Sequence, residues 1–198
     1  MQSINIITAV SRPENLHILK ENIIKELIPY FNVIWYCIYD EGKNLEIIEH
    51  EESWIISKYG GVTNDCAGGS QRNAALDLIT DGWVYCLDDD NILYENFGKT
   101  LSEYINDNKK IETFIFSQKR YNGLFDLISK EENIKIGHID IAQFIATKKI
   151  IDNIRFQENV YTSDFYFIIN ILLKIYIDNK KKAKFTEEFL SHYNYLRK

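Results

Sequence analysis

The chain has 198 residues, 45% of them apolar and 26% charged, with a formal net charge of −6. That length and balance describe one globular domain able to bury a core, and the acidic excess argues against a general nucleic-acid binder, which needs a basic face. Three scattered cysteines (Cys37, Cys66 and Cys86) form neither a disulfide framework nor a CxxC zinc pairing, and no apolar run approaches the ~18 residues of a membrane span.

"INIITAV" (4–10) is short and β-branched, and Arg12-Pro13 closes it, which predicts a first strand. Asn5 and Thr8 interrupt its apolar run and no basic segment precedes it, so it does not read as a signal peptide and the expected setting is the cytoplasm. "ENLHILKENIIKEL" (14–27) puts Leu16, Leu19, Ile23, Ile24 and Leu27 on one helical face, ended by Pro29. "NVIWYCIYD" (32–40) reads as a second buried strand and "SWIISKY" (53–59) as a third. "GGSQRNAALDLITDG" (68–82) predicts a helix with Ser70 as N-cap and Gly82 as its stop, and "WVYCL" (83–87) the next strand.

Strands separated by single helices predict an α/β fold, a Rossmann-like domain whose mostly parallel central sheet is flanked by helices. The second half is less regular. "FGKTLSEYI" (97–105) reads as a helix, "IETFIFSQKRY" (111–121) as a strand, and "IKIGHIDIAQFIA" (134–146) as strand-rich. "SDFYFIINILLKIYI" (163–177) is the most apolar stretch and predicts a core helix. With no repeat and no Gly/Ser/Pro linker, residues 1–198 read as one domain, with a first half over 1–91 and a second over 92–198.

The stretch with most chemistry is "YCLDDDNILY" (85–94), where three carboxylates follow a buried strand. In a parallel α/β sheet ligands bind beyond the carboxyl ends of the strands, where this loop falls. In an extended chain Asp88 and Asp90 would share one side and Asp89 would take the other. Carboxylates that close repel unless a cation or proton sits between them. A hard divalent ion uses one or two such oxygens and leaves positions for phosphate. The plain alternative is a solvated acidic turn.

Arg72 lies in the first turn of the predicted 68–82 helix, where a cation opposes the helix dipole. An anion held by both the helix terminus and the guanidinium would explain it. The plain alternative is a salt bridge to a nearby carboxylate such as Asp65. An acidic metal loop beside an anion-binding helix start is what a nucleoside diphosphate needs.

"VSRP" after the first strand, "GGSQRNAALDLI" and "GWVYCLDDDNILYENF" together resemble the GT-A-type nucleotide-sugar glycosyltransferases. The wording QRN-x-AL followed by VY-x-x-DDDN most resembles the β-1,3-glucuronosyltransferases of family 43, and more loosely the bacterial family 2. "IDIAQFIATKKII" and then "YTSDFYF" resemble the later, acceptor-facing part of that domain. The resemblance implies an inverting, metal-dependent transfer of sugar from a nucleoside-diphosphate sugar, above all a UDP-sugar. The acceptor is a hydroxyl of a glycan or lipid-linked molecule in bacterial surface polysaccharide synthesis. It implies a donor site at Arg12, Asp40, Arg72, Asp88 and Asp89, and Mn²⁺ or Mg²⁺ at Asp90 with help from His192. It also implies Asp164 as general base, and an acceptor site at Asp140 with His138 beside it.

This chain departs from the pattern in two places. Ser163-Asp164 stands where family 43 has Glu-Ser, which shifts the base by one position. Gln143 replaces a glycine after Asp140 and would narrow the pocket. On the residues alone Asp164 could instead cap the helix that follows it. "NKKKAK" (179–184) reads first as a solvated charge run, and in its functional alternative as a patch for anionic lipid headgroups that would bring the chain into peripheral contact with a membrane. Two rival classes stay in view: a sugar nucleotidyltransferase, which would want a glycine-rich loop after the first strand, and a non-catalytic carbohydrate- or nucleotide-binding module.

Overall fold

The N-terminal strand β1 (Gln2–Val10) runs through the most buried part of the molecule, and its two polar interruptions explain how it can. Asn5 Nδ2 donates to the carbonyls of Asp81 (2.8 Å) and Trp83 (3.1 Å). Thr8 Oγ1 donates to the Leu87 carbonyl (2.7 Å) and accepts from Trp35 Nε1 (2.9 Å). Buried polar groups that are fully paired cost little, so the strand stays central despite them. The structure is a computed structural model that describes residues 1–62, 68–120, 125–158, 160–177 and 182–197.

After β1 a short 3₁₀ turn at Pro13–Asn15 leads into α1 (Leu16–Glu26), then β2 (Phe31–Tyr39) and β3 (Ile55–Tyr59). Next come α2 (Gly69–Leu76), β4 (Trp83–Cys86), the two-residue β5 (Ile92–Leu93) and α3 (Phe97–Asp107). The second half supplies β6 (Thr113–Arg120), β7 (Phe144–Thr147), α4 (Lys148–Ile151), α5 (Ser163–Ile177) and β8 (Ala183–Tyr193). Together the strands make one sheet in the order β3-β2-β1-β4-β7-β6-β8-β5. The first-half pairs are parallel, as are β6 and β8, whereas β4–β7, β6–β7 and β5–β8 are antiparallel. The expected α/β domain is therefore present, with its parallel character concentrated before residue 91.

Alternation along β1 and β2 splits the core into two layers. Ile4, Ile6, Trp35 and Cys37 face α1 and α3, while Ile7, Tyr36 and Ile38 pack with α2 and α5. α3 comes so close to the end of α1 that a Cβ on Gly98 would lie 1.9 Å from the Glu26 carbonyl oxygen. Only glycine permits that approach.

Several elements differ from the sequence reading. α2 is capped by Gly68 (φ 77°), which the left-handed conformation favours, rather than by Ser70, whose hydroxyl donates to the Val62 carbonyl. The 134–146 stretch is strand only over Phe144–Thr147, because a positive-φ Gly137 and a 3₁₀ turn at Ile141–Gln143 interrupt it. Gln143 does not narrow a pocket. It is 1% exposed and donates to the carbonyls of Phe116 and Leu127, and its Oε1 accepts from Asp140 N. β5 and β8 were not anticipated. Residues 179–181 of the lysine-rich run lie outside the described residues, and its described lysines are engaged within the protein. Lys182 pairs with Glu112, and Lys184 lies 4.5 Å from the Tyr104 ring centroid. Among the described residues no helix is long and apolar enough to cross a membrane.

Candidate functional site

β1, β2 and β4 all point their carboxyl ends at one cavity of about 480 Å³. Parallel strands converge their C-terminal loops on one edge, so the residues that end them become neighbours. Arg12 follows β1, Asp40 follows β2, and Asp88, Asp89 and Asp90 follow β4; all line the cavity. Arg72 enters from α2, Asp140 from the turn before β7 and Asp164 from the first turn of α5. Of the residues singled out from the sequence, all but His138 and His192 meet here.

The three aspartates do not alternate as an extended chain would, because the Asn91 amide bonds back to the Asp88 carbonyl (3.1 Å) and folds the segment into a turn. Each acid then has its own task. Asp89, 2% exposed, accepts from the amides of Ser11 (2.5 Å) and Arg12 (2.6 Å), and from Arg12 Nη1 (2.6 Å). It holds the turn after β1 in place. Asp88 pairs with Arg72 Nη2 at 2.6 Å. Asp90 has only a longer contact to Arg12 (3.3 Å), and burial, reinforced by Asp88, pushes its carboxyl up to about 6 despite Arg12.

Arg72 is the hub of the site. Its Nη2 reaches Asp88 and its Nη1 reaches Asp164 Oδ1 at 2.9 Å, so one guanidinium ties the loop after β4 to the start of α5. It is 2% exposed, with Phe156 5.3 Å from its centre. Burial alone would lower its proton affinity, but Asp164 and Asp88 more than reverse that and keep it charged. Arg72 forms salt bridges to Asp88 and Asp164; Asp65 lies outside the described residues. Asp164 therefore turns to Arg72 instead of capping α5. Burial raises its carboxyl to about 6 against the pull of Arg72.

Asp40, 3% exposed, accepts from the Gly42 amide at 2.8 Å. Asp140 caps the 3₁₀ turn through Ala142 N (2.9 Å), accepts from Gln118 Nε2 (3.3 Å), and is pushed upward by burial with Asp88 and Asp164 near. His138 sits between two cavity-lining residues, Gly137 and Ile139, but its ring lies 6.1 Å from Phe125 and does not line the cavity. His192 lies on β8 with its ring between Tyr94 (4.7 Å) and Tyr195 (5.4 Å), and burial lowers its proton affinity. Strand alternation sends its neighbour Tyr193 into the cavity in its place.

Sequence reasoning missed Arg120, Tyr193 and Arg197, all of which line the cavity. They belong to the ends of β6 and β8, and β8 carries Lys184, Glu187 and Glu188 among its apolar residues, which obscures the strand pattern. Among the described residues no group of three His, Cys, Asp or Glu side chains is gathered as a ready metal cage. The donor chemistry at Asp88 and Asp90 nevertheless fits a hard divalent ion, which takes one or two carboxylates and fills its other positions from substrate and water. Asp90, a crowded acid with raised proton affinity, is the kind of group that such an ion relieves.

No protein-family model matches the chain, and no curated protein matches it in sequence. Solved structures do share its fold. Staphylococcus aureus TarS 1-349 aligns with a TM-score of 0.71 at 13% identity, over 96% of this chain and 60% of TarS 1-349. TarS 1-349 in complex with UDP-GlcNAc aligns at 0.71 and 14% identity, over 96% and 58% of the two chains. Its complex with UDP aligns at 0.69 and 15%, over 96% and 60%. The class this defines is a single α/β domain similar in fold to TarS. The chain spans about 60% of the length of TarS 1-349, and the finer likeness to families 43 and 2 rests on the QRN and DDDN segments alone.

Proposed function

We propose that this chain is a nucleotide-sugar glycosyltransferase. It would move a sugar from a UDP-sugar to a hydroxyl of a glycan or lipid-linked acceptor in bacterial surface polysaccharide synthesis, with inversion at the anomeric carbon. One observation carries the reading: Arg72 joins Asp88, on the loop where a donor would lie, to Asp164, on the first turn of α5 in the same cavity. A single substrate complex can therefore touch a donor-side acid and a base at once. The fold likeness to TarS, crystallised with UDP-GlcNAc and with UDP, supports the class of donor.

The roles follow from the surroundings of each group. Asp164 has Oδ1 fixed by Arg72, and its raised proton affinity, about 6, suits it to accept and hold an acceptor hydroxyl's proton near neutral pH. Arg72 keeps that carboxylate oriented and Asp88 anchored. Asp40, at the end of β2, faces the place of the nucleotide base, and Asp140 the acceptor. Asp90, with Asp88, would hold Mn²⁺ or Mg²⁺, which when bound supplies positive charge against a leaving diphosphate. A lone base opposite the leaving group gives inversion.

The test is hydrolysis and transfer measured over a panel of UDP-sugars, with and without simple glycoside acceptors, in Mn²⁺ and in EDTA. Metal-dependent release of UDP, faster with an acceptor and yielding the opposite anomer by NMR, is expected. Binding without turnover in any combination would favour a binding module, and release of pyrophosphate from UTP and a sugar phosphate would favour a nucleotidyltransferase.

A further inference from the structure

Arg12 and Arg72 are neutralised inside the fold, each by two aspartates. Arg120, the last residue of β6, is different. It lines the same cavity yet makes no ion pair among the described residues, and its Nε is buried without a hydrogen bond. Its position is nonetheless fixed. The guanidinium centre lies 5.0 Å from the Tyr193 ring centroid and 6.0 Å from that of Phe125, and its amide donates to Asp126 Oδ1 at 3.0 Å. Two residues back on the same strand, Gln118 is 0% exposed and its Oε1 is also buried without a partner.

A planar guanidinium held against aromatic rings keeps its charge and its fork of donors while losing little further freedom on binding. A buried donor left unpaired is costly unless something that binds completes it. An arginine held against aromatic rings at a cavity wall, with no ion pair among the described residues, is placed to grip a ligand. The ligand group that fits is a phosphoryl oxyanion, which takes two parallel N–H bonds from such a fork.

We propose that Arg120, backed by Tyr193, is a phosphoryl-binding residue of this cavity. The inference deepens the glycosyltransferase reading, and two sources supply the same chemistry: the diphosphate of the donor, or a phosphate carried by the acceptor itself.

Titration calorimetry on wild type, Arg120→Gln and Arg120→Lys tests it, with thermal unfolding to confirm that each variant is folded. UDP and uridine are titrated first, and inorganic phosphate is then titrated into protein saturated with UDP. A tenfold or greater loss of UDP affinity in Arg120→Gln, with uridine unchanged, supports the residue and assigns it to the donor; that is the scale of one charge-assisted bond. Unchanged UDP affinity with loss of phosphate binding to the saturated protein supports it and assigns it to the acceptor. In either case Arg120→Lys should lose less than Arg120→Gln, since it keeps the charge without the fork. Folded Arg120→Gln that matches wild type in both titrations overturns the inference while leaving the glycosyltransferase reading standing. Wild type that binds phosphate through Arg120 but does not bind UDP would sink that reading and keep this one.

Discussion

The two halves of the cavity treat charge in opposite ways. On the β1–β4 side every acid after β4 has an arginine against it: Asp89 and Asp90 meet Arg12, and Asp88 meets Arg72. On the β6–β8 side, among the described residues, Asp140 has only uncharged donors in Ala142 N and Gln118, and the Arg120 guanidinium has only rings. The first side is a wall whose polar groups largely satisfy one another and so hold a shape. The second side leaves valences open, which is where a substrate has most to offer.

The sharpest way to break that contrast is at Asp164, bonded to Arg72 of the first side and close enough to act on Asp140 of the second. Asp164→Asn should keep UDP binding within a few-fold and lower transfer by about 10² or more, the usual contribution of a positioned base. A near-normal rate would move the base to another acid, with Asp140 and Glu158 next to test. Wild-type transfer should also fall as pH drops through about 6, where Asp164 takes up a proton and ceases to act as a base.

If the first side is structural, Arg72→Met should destabilise the protein by about 3 kcal/mol or more, because it strands two partly buried carboxylates. Urea unfolding measures this. An unchanged midpoint with weakened UDP binding would instead make Arg72 a ligand residue like Arg120. Gly98→Ala, remote from both sides, should cost about 1–3 kcal/mol through the clash with the Glu26 carbonyl and leave the affinity of the folded protein alone.

The smallest effect is on stability and pH. Asp90 and Asp164 hold protons in the folded state up to about 6, well above their ordinary value of 3.8. Between those limits each of these acids, like Asp140, binds more protons in the folded chain than in the unfolded one, so their contribution to stability falls as pH rises. The partly buried His50 and His192, whose proton affinity is lowered, work the other way. Lowering pH from 8 to 5.5 should raise stability by on the order of 1 kcal/mol, seen as a higher melting temperature. Asp90→Asn should reduce that gain, and a pH dependence of the melting temperature identical in Asp90→Asn and wild type would contradict the raised proton affinity of Asp90.

The first half was legible in the sequence because its signals are local. β-branched runs, a helical stripe and DDDN beyond a buried strand each declare themselves within about ten residues. The second half depends on contacts distant in sequence. β8 is recognisable as a strand only beside β6, and the roles of Tyr193 and Arg197 follow from that pairing. Gln143 looked like an obstruction because one-dimensional pattern cannot show that its amide is used up on two backbone carbonyls. That Arg72 pairs with Asp164, 92 residues away and 2.9 Å from it, could not be read from the local pattern around Arg72.

That same guanidinium has a mechanical consequence. It is a rivet through two plates, one carrying the loop after β4 and the other the start of α5. Prising them apart would tear two charge-assisted bonds where little water can replace them. Substrate entry by a hinge between the plates is therefore uphill. Ile136 and Tyr161, by contrast, are lining side chains that no such bond holds and that already meet solvent.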